Sequence, residues 1–277
     1  MRNKLTEELA VCGYNAVKAL AELHPERIHR LFLREDRMPG LSGACRFLAE
    51  QKRAYKLCED EELEKICKSP RHQGVVAMID EIDIPFLEEA DLEEWARAGT
   101  TGLVLDAVGN DNNLGAIVRS AAFFGAGIIV LSDLDQEARL TTSAYRVAEG
   151  GMEHLRFFKV RRVDAFLKDA SRMLVVIGAD HRARWRLRDL PELVRKRSAE
   201  LVAKKSRAVP AAAPDQKPQA SNVLPGIAVV VGNEERGLSA EVKAACAALV
   251  RVPGTGNMES LNVAQAATLF LHEIYEG

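Results

Sequence analysis

Three separated segments of the 277-residue chain combine residue types that are typical of ligand sites. They span residues 105–121, 229–239 and 250–264, and each starts with apolar residues that favour a buried strand. In each segment a turn of glycine and polar residues follows, and then the start of a helical pattern. Ligand sites of open α/β sheets gather beyond the carboxyl ends of strands, so the three segments together predict one shared binding site.

Taken singly, each segment also has a purely structural interpretation. Asn113 stands where an N-cap residue would precede the first helix, and Arg119 is most simply an exposed helical arginine. Gly232 lets the backbone approach a ligand closely, but its turn lacks the Lys-Ser/Thr of a phosphate-binding loop. Ser260 is explained by N-capping of the last helix. The prediction of a site therefore depends on the joint order and spacing of the three segments.

The composition is that of an ordinary globular protein, with 47% hydrophobic and 28% charged residues. Because the formal net charge is −2, binding of nucleic acid would require local basic patches. The five cysteines show no CxxC pairing, which argues against a zinc site and against a disulfide framework. The acidic N-terminus is unlike a signal peptide, and no apolar run reaches membrane-spanning length. We therefore expect a soluble cytoplasmic protein, without a metal ion and without membrane contact.

Apolar runs predict the elements that position the three segments. Residues 103–105, 128–131, 174–177 and 227–231 are continuously apolar, and residues 114–124 have helical spacing. Continuous rather than alternating apolar strands, separated by helices, indicate a parallel sheet that is covered on both faces. The predicted fold class of this part of the chain is therefore α/β.

The rest of the chain divides into three stretches. Residues 12–80 alternate short helical and strand patterns, which predicts a small separate α/β unit. The acidic stretch 81–102, which contains Pro85, is interpreted as the link between domains. Residues 195–222 are rich in proline and polar residues, which predicts a flexible insertion between two strands.

The sequences of the three segments resemble the signature motifs of a known enzyme family. They read NDNNLGAIVRSAAFFGA at 110–126, VVVGNEERGLS at 229–239 and VRVPGTGNMESLNVAQAA at 250–267. In this order they resemble motifs one to three of the SpoU, or TrmH-type, RNA ribose methyltransferases of the SPOUT superfamily. The N-terminal unit is similar to the RNA substrate-binding domain of these enzymes, through GYNAV at 13–17 and HQGV at 72–75.

The resemblance implies a fold and a domain organisation. Residues 1–80 would form the RNA substrate-binding domain, 81–102 the link, and 103–277 the SpoU methyltransferase domain with its insertion at 195–222. The family fold is a parallel sheet with a C-terminal trefoil knot, an exception to the rule against threaded chains. Family members are usually homodimers, and the apolar final helix, which needs a partner to cover it, fits that assembly.

The reaction implied by the resemblance is transfer of a methyl group from S-adenosyl-L-methionine to a ribose 2′-hydroxyl of RNA. A separate N-terminal recognition unit favours rRNA over tRNA as the partner. The positions that match the backbone contacts of the cofactor are Gly232, Val252 and Leu261. The positions that match catalytic residues are Arg119, which is central, and Asn113, Glu234, Ser260 and Asn262, which would orient it, the ribose and the loop.

The role of Arg119 is open between a general base and a phosphate clamp. Arginine stays protonated near neutral pH, which argues against a base. Its guanidinium fork is well suited to holding a phosphate beside the target ribose, with that phosphate assisting removal of the hydroxyl proton. The family often has an Asp-Pro pair shortly before its motif-one asparagine, whereas this chain has Asn110-Asp111, so the shape of that turn differs.

Two other functions compete with this prediction. A non-catalytic RNA-binding relative would keep the fold, but the intact Arg119, Glu234, Ser260 and Asn262 argue against it. A nucleotide-binding enzyme of another doubly wound class would need a GxGxxG turn after its first strand, which is missing.

Arginines are concentrated just before the predicted insertion. Arg182, Arg184, Arg186 and Arg188 alternate along the chain, and further lysines and arginines follow up to residue 207. Such a run is usually a solvated charged face, whereas beside an RNA site it would supply phosphate contacts. The sequence favours neither interpretation.

Overall fold

The computed structural model describes residues 8–133, 139–208 and 224–277. The chain forms two compact units. The first comprises the described parts of Met1–Asp83, Asn110–Phe123 and Ala138–Leu155, and the second those of Ile84–Gly109, Phe124–Glu137 and Arg156–Gly277. Among the described residues, no helix combines the length and apolarity needed to cross a bilayer, and no group of metal-binding side chains is found.

The first unit contains a four-stranded mixed sheet in the order β1-β4-β2-β3. Its strands are β1 (Glu8–Cys12), β2 (Arg30–Leu33), β3 (Ala54–Leu57) and β4 (Val75–Asp80), and the accompanying helices are α1 (Tyr14–Leu23), α2 (Met38–Glu50) and α3 (Asp60–Cys67). Strand β4 pairs antiparallel with β1 and β2, and β2 pairs parallel with β3. This arrangement confirms a small N-terminal α/β unit, although the sequence patterns had not indicated β1.

Two turns of this unit that carried the N-terminal resemblance lie side by side. The backbone N–H of Gly13 donates to the His72 carbonyl at 3.2 Å, and the backbone N–H of Tyr14 donates to Gln73 Oε1 at 2.8 Å. Gly13 has φ 99°, a conformation that side chains with a Cβ rarely adopt. Long-range hydrogen bonds thus join the two short sequences, 59 residues apart in the second pair.

The helix of motif one, α5 (Asp111–Phe123), and the following helix α6 (Thr142–Ala148) belong to the first unit. Gly115 allows their close approach, because a Cβ added there would lie 2.6 Å from the Ala144 carbonyl oxygen. The Asp111 carboxylate accepts hydrogen bonds from Thr141 Oγ1 at 2.8 Å and from the Arg139 backbone N–H at 3.0 Å. The first turn of α5 is therefore held in place against the segment that starts α6.

The second unit contains a seven-stranded sheet in the order β7-β6-β5-β10-β8-β11-β9, with every pair parallel. Its strands are β5 (Thr101–Asp106), β6 (Ile128–Ser132), β7 (Arg156–Val160), β8 (Val175–Ala179), β9 (Trp185–Arg186), β10 (Ile227–Gly232) and β11 (Ala248–Arg251). Its helices are α4 (Glu89–Ala98), α7 (Val163–Ala170), α8 (Leu190–Ala208), α9 (Ala240–Ala245) and α10 (Val263–Glu276). The predicted parallel α/β sheet is confirmed.

Helix α4 occupies much of the stretch that the sequence predicted as a link, so that prediction is wrong for residues 89–98. Its buried Leu92, Trp95 and Ala96 recur at helical spacing and join the core beneath the sheet. The Trp95 indole N–H also donates to the Thr100 carbonyl at 2.7 Å. The acidic residues that suggested a linker lie mainly on the outer side of this helix.

The predicted flexible insertion at 195–222 is also wrong for residues 195–208, which belong to helix α8. The chain is helical up to Ala208, with Val194 and Leu201 buried, and Arg197 donates to the Ala247 carbonyl at 3.1 Å. The prolines that suggested irregular structure all come after this helix. Residues 209–222 of the predicted insertion lie outside the described residues.

Candidate active site

The carboxyl ends of β8, β10 and β11 surround a cavity of about 280 Å³ within the second unit. These strands end at Ala179, Gly232 and Arg251, all of which line the cavity. Five of the eight residues predicted from the sequence also line it: Gly232, Glu234, Val252, Ser260 and Leu261. Segments that are separate in the chain therefore form one site, at the edge of the sheet where the sequence predicts it.

The turn after β10 is organised by Asn233, which the sequence analysis did not single out. Its Oδ1 accepts hydrogen bonds from the backbone N–H groups of Glu235 at 2.9 Å and Arg236 at 3.1 Å. Its Nδ2 donates to the Ala107 carbonyl at 2.9 Å, just beyond the end of the neighbouring strand β5. An asparagine directly after a strand-ending glycine is a known turn signal, which could have identified this residue.

Position 232 must be a glycine because neighbouring backbone atoms leave no room for a Cβ. A Cβ added at this position would lie 2.5 Å from the Gly237 carbonyl oxygen and 2.6 Å from the Leu238 backbone nitrogen. The atoms that such a Cβ would meet belong to the far end of the same turn, which folds back onto the strand. The expectation that this glycine also lets a ligand approach the backbone stays a prediction.

The end of β5 also supports this turn. The Asp106 carboxylate accepts a hydrogen bond from the Ser239 backbone N–H at 3.2 Å. Burial raises the pKa of Asp106, and this hydrogen bond opposes the shift only in part. Ala107 follows with φ 59°, a left-handed conformation that costs a residue with a Cβ roughly 1–2 kcal/mol. Asp106 at the end of β5 and Ala107 directly after it thus fix the position of residues 233–239.

Charged side chains at the end of β8 form a second support. Burial alone would raise the pKa of Asp180, but the Lys243 ammonium at 2.7 Å and the Arg182 backbone N–H lower it below its ordinary value. Glu259, in the loop after β11, lies 3.3 Å from His181 Nε2 and 3.4 Å from an Arg182 guanidinium nitrogen. These contacts connect the loop that carries Ser260 to the end of β8.

Asn262 is placed differently from Ser260 and Leu261. It does not appear in the cavity lining, and it forms the N-cap of α10, where its side chain accepts a hydrogen bond from the Ala264 backbone N–H at 2.9 Å. The sequence pattern predicts Ser260 as this cap, and that prediction is wrong. The cap is two residues later, and Ser260 is left exposed at the cavity.

Arg119 and Asn113 belong to α5 in the first unit. The Arg119 side chain is 58% exposed, and its guanidinium lies 3.1 Å from the Glu149 carboxylate, which also accepts from the Asn15 side-chain amide at 3.3 Å. Glu149 follows α6 in a left-handed conformation with φ 47°. A partly paired, solvent-accessible guanidinium is available to bind an anion.

Asn113 is half-buried in the first turn of α5 and is not its N-cap. That position belongs to Asn110, whose Oδ1 accepts from the backbone N–H groups of Asn112 at 2.8 Å and Asn113 at 3.4 Å. The Asn110-Asp111 pair, which departs from the family's Asp-Pro, therefore starts the helix one turn earlier than the sequence analysis expected.

The lining of the cavity suits a cofactor with apolar and charged parts. Apolar surface comes from Leu238, Val252, Leu261 and Phe270, and carboxylates come from Glu234, Glu235, Asp180 and Glu259. The Nε of Arg251 is buried and has no hydrogen-bond partner within the described residues, so a bound acceptor would satisfy it. The residues therefore fit S-adenosyl-L-methionine, which has a purine, a sulfonium and a zwitterionic end.

Comparisons with known proteins identify the family of this chain. A family model described as the SpoU rRNA Methylase family matches residues 101–272, and one described as RNA 2'-O ribose methyltransferase substrate binding matches residues 10–85. The 23S rRNA (guanosine-2'-O-)-methyltransferase RlmB of Acinetobacter baylyi is 32% identical, with 94% of each chain covered. RlmB of Nitrosomonas europaea is 28% identical, with 98% of this chain and 92% of the relative covered.

Solved structures show the same fold. The SpoU methyltransferase AviRb of Streptomyces viridochromogenes, crystallised with AdoMet, superposes with a TM-score of 0.68 at 21% identity, covering 100% of this chain and 93% of that one. The AdoMet-bound rRNA methyltransferase of Sinorhizobium meliloti gives 0.69 at 20% identity, covering 99% and 89%. At such identities the structural likeness establishes the architecture alone.

Proposed function

Because the chain belongs to the SpoU rRNA methylase family, we propose that it methylates a ribose 2′-hydroxyl of ribosomal RNA. Membership makes it an S-adenosyl-L-methionine-dependent RNA methyltransferase, and the choice of RNA is the proposed part. Relatives named for guanosine 2′-O-methylation of 23S rRNA support the large ribosomal RNA as the substrate.

One observation carries the proposal. Residues from both motif two and motif three line a single cavity at the carboxyl edge of the sheet. We propose that Gly232, Val252 and Leu261 hold the cofactor there by backbone contacts and apolar packing. When bound, the cofactor supplies an activated methyl group on its sulfonium, so the protein's task is mainly to position the hydroxyl in line and relieve its proton.

Arg119 is proposed to perform the positioning. Its guanidinium is exposed and permanently charged, and its partner Glu149 orients it without enclosing it. A phosphate next to the target ribose would be gripped by this fork, with Asn113, Glu234, Ser260 and Asn262 orienting the ribose and the loop. We favour the clamp over the general base because arginine does not release its proton near neutral pH.

The test is methyl transfer with labelled S-adenosyl-L-methionine to separated 23S rRNA, 16S rRNA and tRNA. We expect incorporation into 23S rRNA at one ribose, located by mapping 2′-O-methyl sites. Arg119→Ala should abolish transfer, because loss of one preorganised charged donor costs roughly 10²–10³-fold in kcat, while cofactor binding persists. Arg172→Ala, which removes an arginine that is 78% exposed beyond α7, is the matched control and should keep full activity.

The outcomes separate the competing functions. A wild-type chain that binds RNA but transfers no methyl group to any of the three RNAs would favour the non-catalytic RNA-binding alternative. Methylation of tRNA alone would overturn the choice of rRNA. Undiminished transfer by Arg119→Ala would remove Arg119 from the reaction.

The assembly is part of the same proposal. We propose a cytoplasmic homodimer in which residues 1–80 bind the RNA substrate and the chain forms the C-terminal trefoil knot of its family. The family model for substrate binding over residues 10–85 supports the first assignment. Light scattering of the purified chain, and RNA binding with and without residues 1–80, would test the assembly and the domain assignment.

A further inference from the structure

An exposed arginine edge borders the second unit's sheet. Strand β9 is the last strand of this sheet; among residues 8–133, 139–208 and 224–277 it pairs with β11 alone, and no described strand covers its outer side. Arg184, Trp185, Arg186 and Arg188 are all exposed; we call these four residues the arginine edge. Residues 181–189 contain four arginines and a single carboxylate, that of Asp189, in a chain whose formal net charge is −2.

The charges of the arginine edge are largely unneutralised. Asp189 accepts a hydrogen bond from the Arg186 backbone N–H at 2.9 Å and lies 3.8 Å from Arg188 Nε. Among the described residues, neither the Arg184 nor the Arg186 guanidinium has a carboxylate within 4 Å. Positive side chains that the protein's own acids leave unpaired favour an anionic partner.

Trp185 adds a feature that a merely solvated charged strand does not need. The indole is 41% exposed, and the Arg184 guanidinium lies 5.3 Å from the centroid of its ring. Exposed tryptophan beside arginine provides a flat surface for a nucleobase together with cations for its phosphates. A ring for base stacking together with cations for phosphates is the combination that binds single-stranded nucleic acid, so we take RNA as the occupant.

The arginine edge adjoins the cofactor cavity. In the parallel pairing of β9 with β11, Trp185 stands opposite Val250, and Arg186 stands opposite Arg251. Val250 and Arg251 line the cavity, and adjacent strands are about 4.8 Å apart. The chain before β9 contributes His181 and Arg182 to the same lining. An RNA strand with its target ribose at the cavity would have its neighbouring nucleotides next to the arginine edge.

We propose that the arginine edge binds the single-stranded RNA that flanks the methylated nucleotide, with Arg184 and Arg186 on phosphates and Trp185 stacked on a base. This inference rests on the proposed function, since it assigns a further contact to the same RNA substrate. Of the two interpretations that the sequence leaves open, a solvated face and phosphate contacts, it adopts the phosphate contacts.

The test uses the full chain and two RNA probes. Binding of a fluorescent single-stranded RNA of about 16 nucleotides is measured between about 50 and 200 mM salt, and methyl transfer is measured on bulk rRNA. Arg184→Ala/Arg186→Ala should lower the slope of log Kd against log salt by about 1.4, because each phosphate contact on a single strand contributes roughly 0.7. The KM for rRNA should rise, with kcat and cofactor binding unchanged.

Trp185 supplies an independent arm. Trp185→Ala should weaken RNA binding by roughly 5- to 150-fold, the range for loss of one stacked base, without changing the salt slope. Trp185→Phe should restore most of the affinity, which separates stacking from any effect on folding. Arg161→Ala/Arg172→Ala removes two arginines near β7 and α7, at the opposite end of the strand order, and is the charge-matched control.

Two results would overturn the proposal: an unchanged salt slope and KM in the arginine variant, or an equal decrease in the control variant. Either result would return the arginine edge to a solvated face or to a protein contact. Failure of the proposed function would give a different result from failure of this inference. The wild-type chain would then methylate no rRNA, whatever the salt dependence of its RNA binding.

Discussion

Substitution of Gly232 by alanine tests whether the turn after β10 is the element on which the cofactor cavity depends. The backbone of Gly232 has an ordinary φ, so the substitution introduces no conformational strain of its own. The new methyl group would instead meet the Gly237 carbonyl oxygen at 2.5 Å and the Leu238 nitrogen at 2.6 Å. Carbon atoms normally approach such neighbours to about 3.5 Å, so the turn must move outward by roughly 1 Å.

The free-energy cost follows from what holds that turn. Three hydrogen bonds of Asn233 would be distorted together, those with Ala107, Glu235 and Arg236. At about 0.5–1.5 kcal/mol each, their loss amounts to roughly 1.5–4.5 kcal/mol, and overpacking of a rigid site independently costs about 1–3 kcal/mol. We expect a destabilisation of about 3 kcal/mol, or a decrease in Tm of roughly 6–12 °C.

Three measurements and one control decide the outcome. Tm is measured by calorimetry and cofactor affinity by isothermal titration, and methyl transfer should fall by roughly 10²-fold because the cavity is displaced by about 1 Å. Gly254→Ala is the matched control in the loop after β11, since an added Cβ there has no neighbour within 4 Å. If Gly232→Ala kept the Tm and the cofactor affinity of Gly254→Ala, the proposed rigidity of the turn would be refuted.

Three further changes follow from the structure. Trp95→Ala should lower the free energy of unfolding in urea by about 3–5 kcal/mol, because the indole is only 1% exposed in the core; a loss below 1 kcal/mol would contradict this. Asp180 has a lowered pKa in the folded state, so its stabilisation is complete above its unfolded pKa of about 3.9 and is lost as the pH falls through the folded value. Lys243→Met should therefore lower the Tm at pH 7 more than at pH 3, and an equal loss at both would count against the ion pair. Gly43→Ala should stabilise α2 by about 0.5–1 kcal/mol in the same urea assay, since its Cβ has free space; a decrease would mean that the glycine is needed for packing.

Local sequence patterns predicted most of the second unit's sheet and the helix of motif one. The apolar runs of β5 and β10 are continuous because both faces of a parallel sheet are covered. Such a run consists of adjacent residues, so it can be recognised from the local sequence. Helix α4 was missed although Leu92, Trp95 and Ala96 have helical spacing, because acidic residues and Pro85 dominate the composition of that stretch. The start of the insertion is mispredicted for a related reason, because the prolines beyond residue 208 obscure the helical pattern that precedes them.

Residue types and their order along the chain already indicate that three motifs follow three strand ends, which chemistry these motifs allow, and which family they resemble. The folded chain alone shows that Asn233 ties its turn to the end of β5, that Arg119 pairs with Glu149, and that the arginine edge flanks the cavity. The physical reason is the range of the interactions. Strand and helix patterns depend on residues a few positions apart, whereas these contacts join residues from 30 to more than 120 positions apart, which only the folded chain brings together.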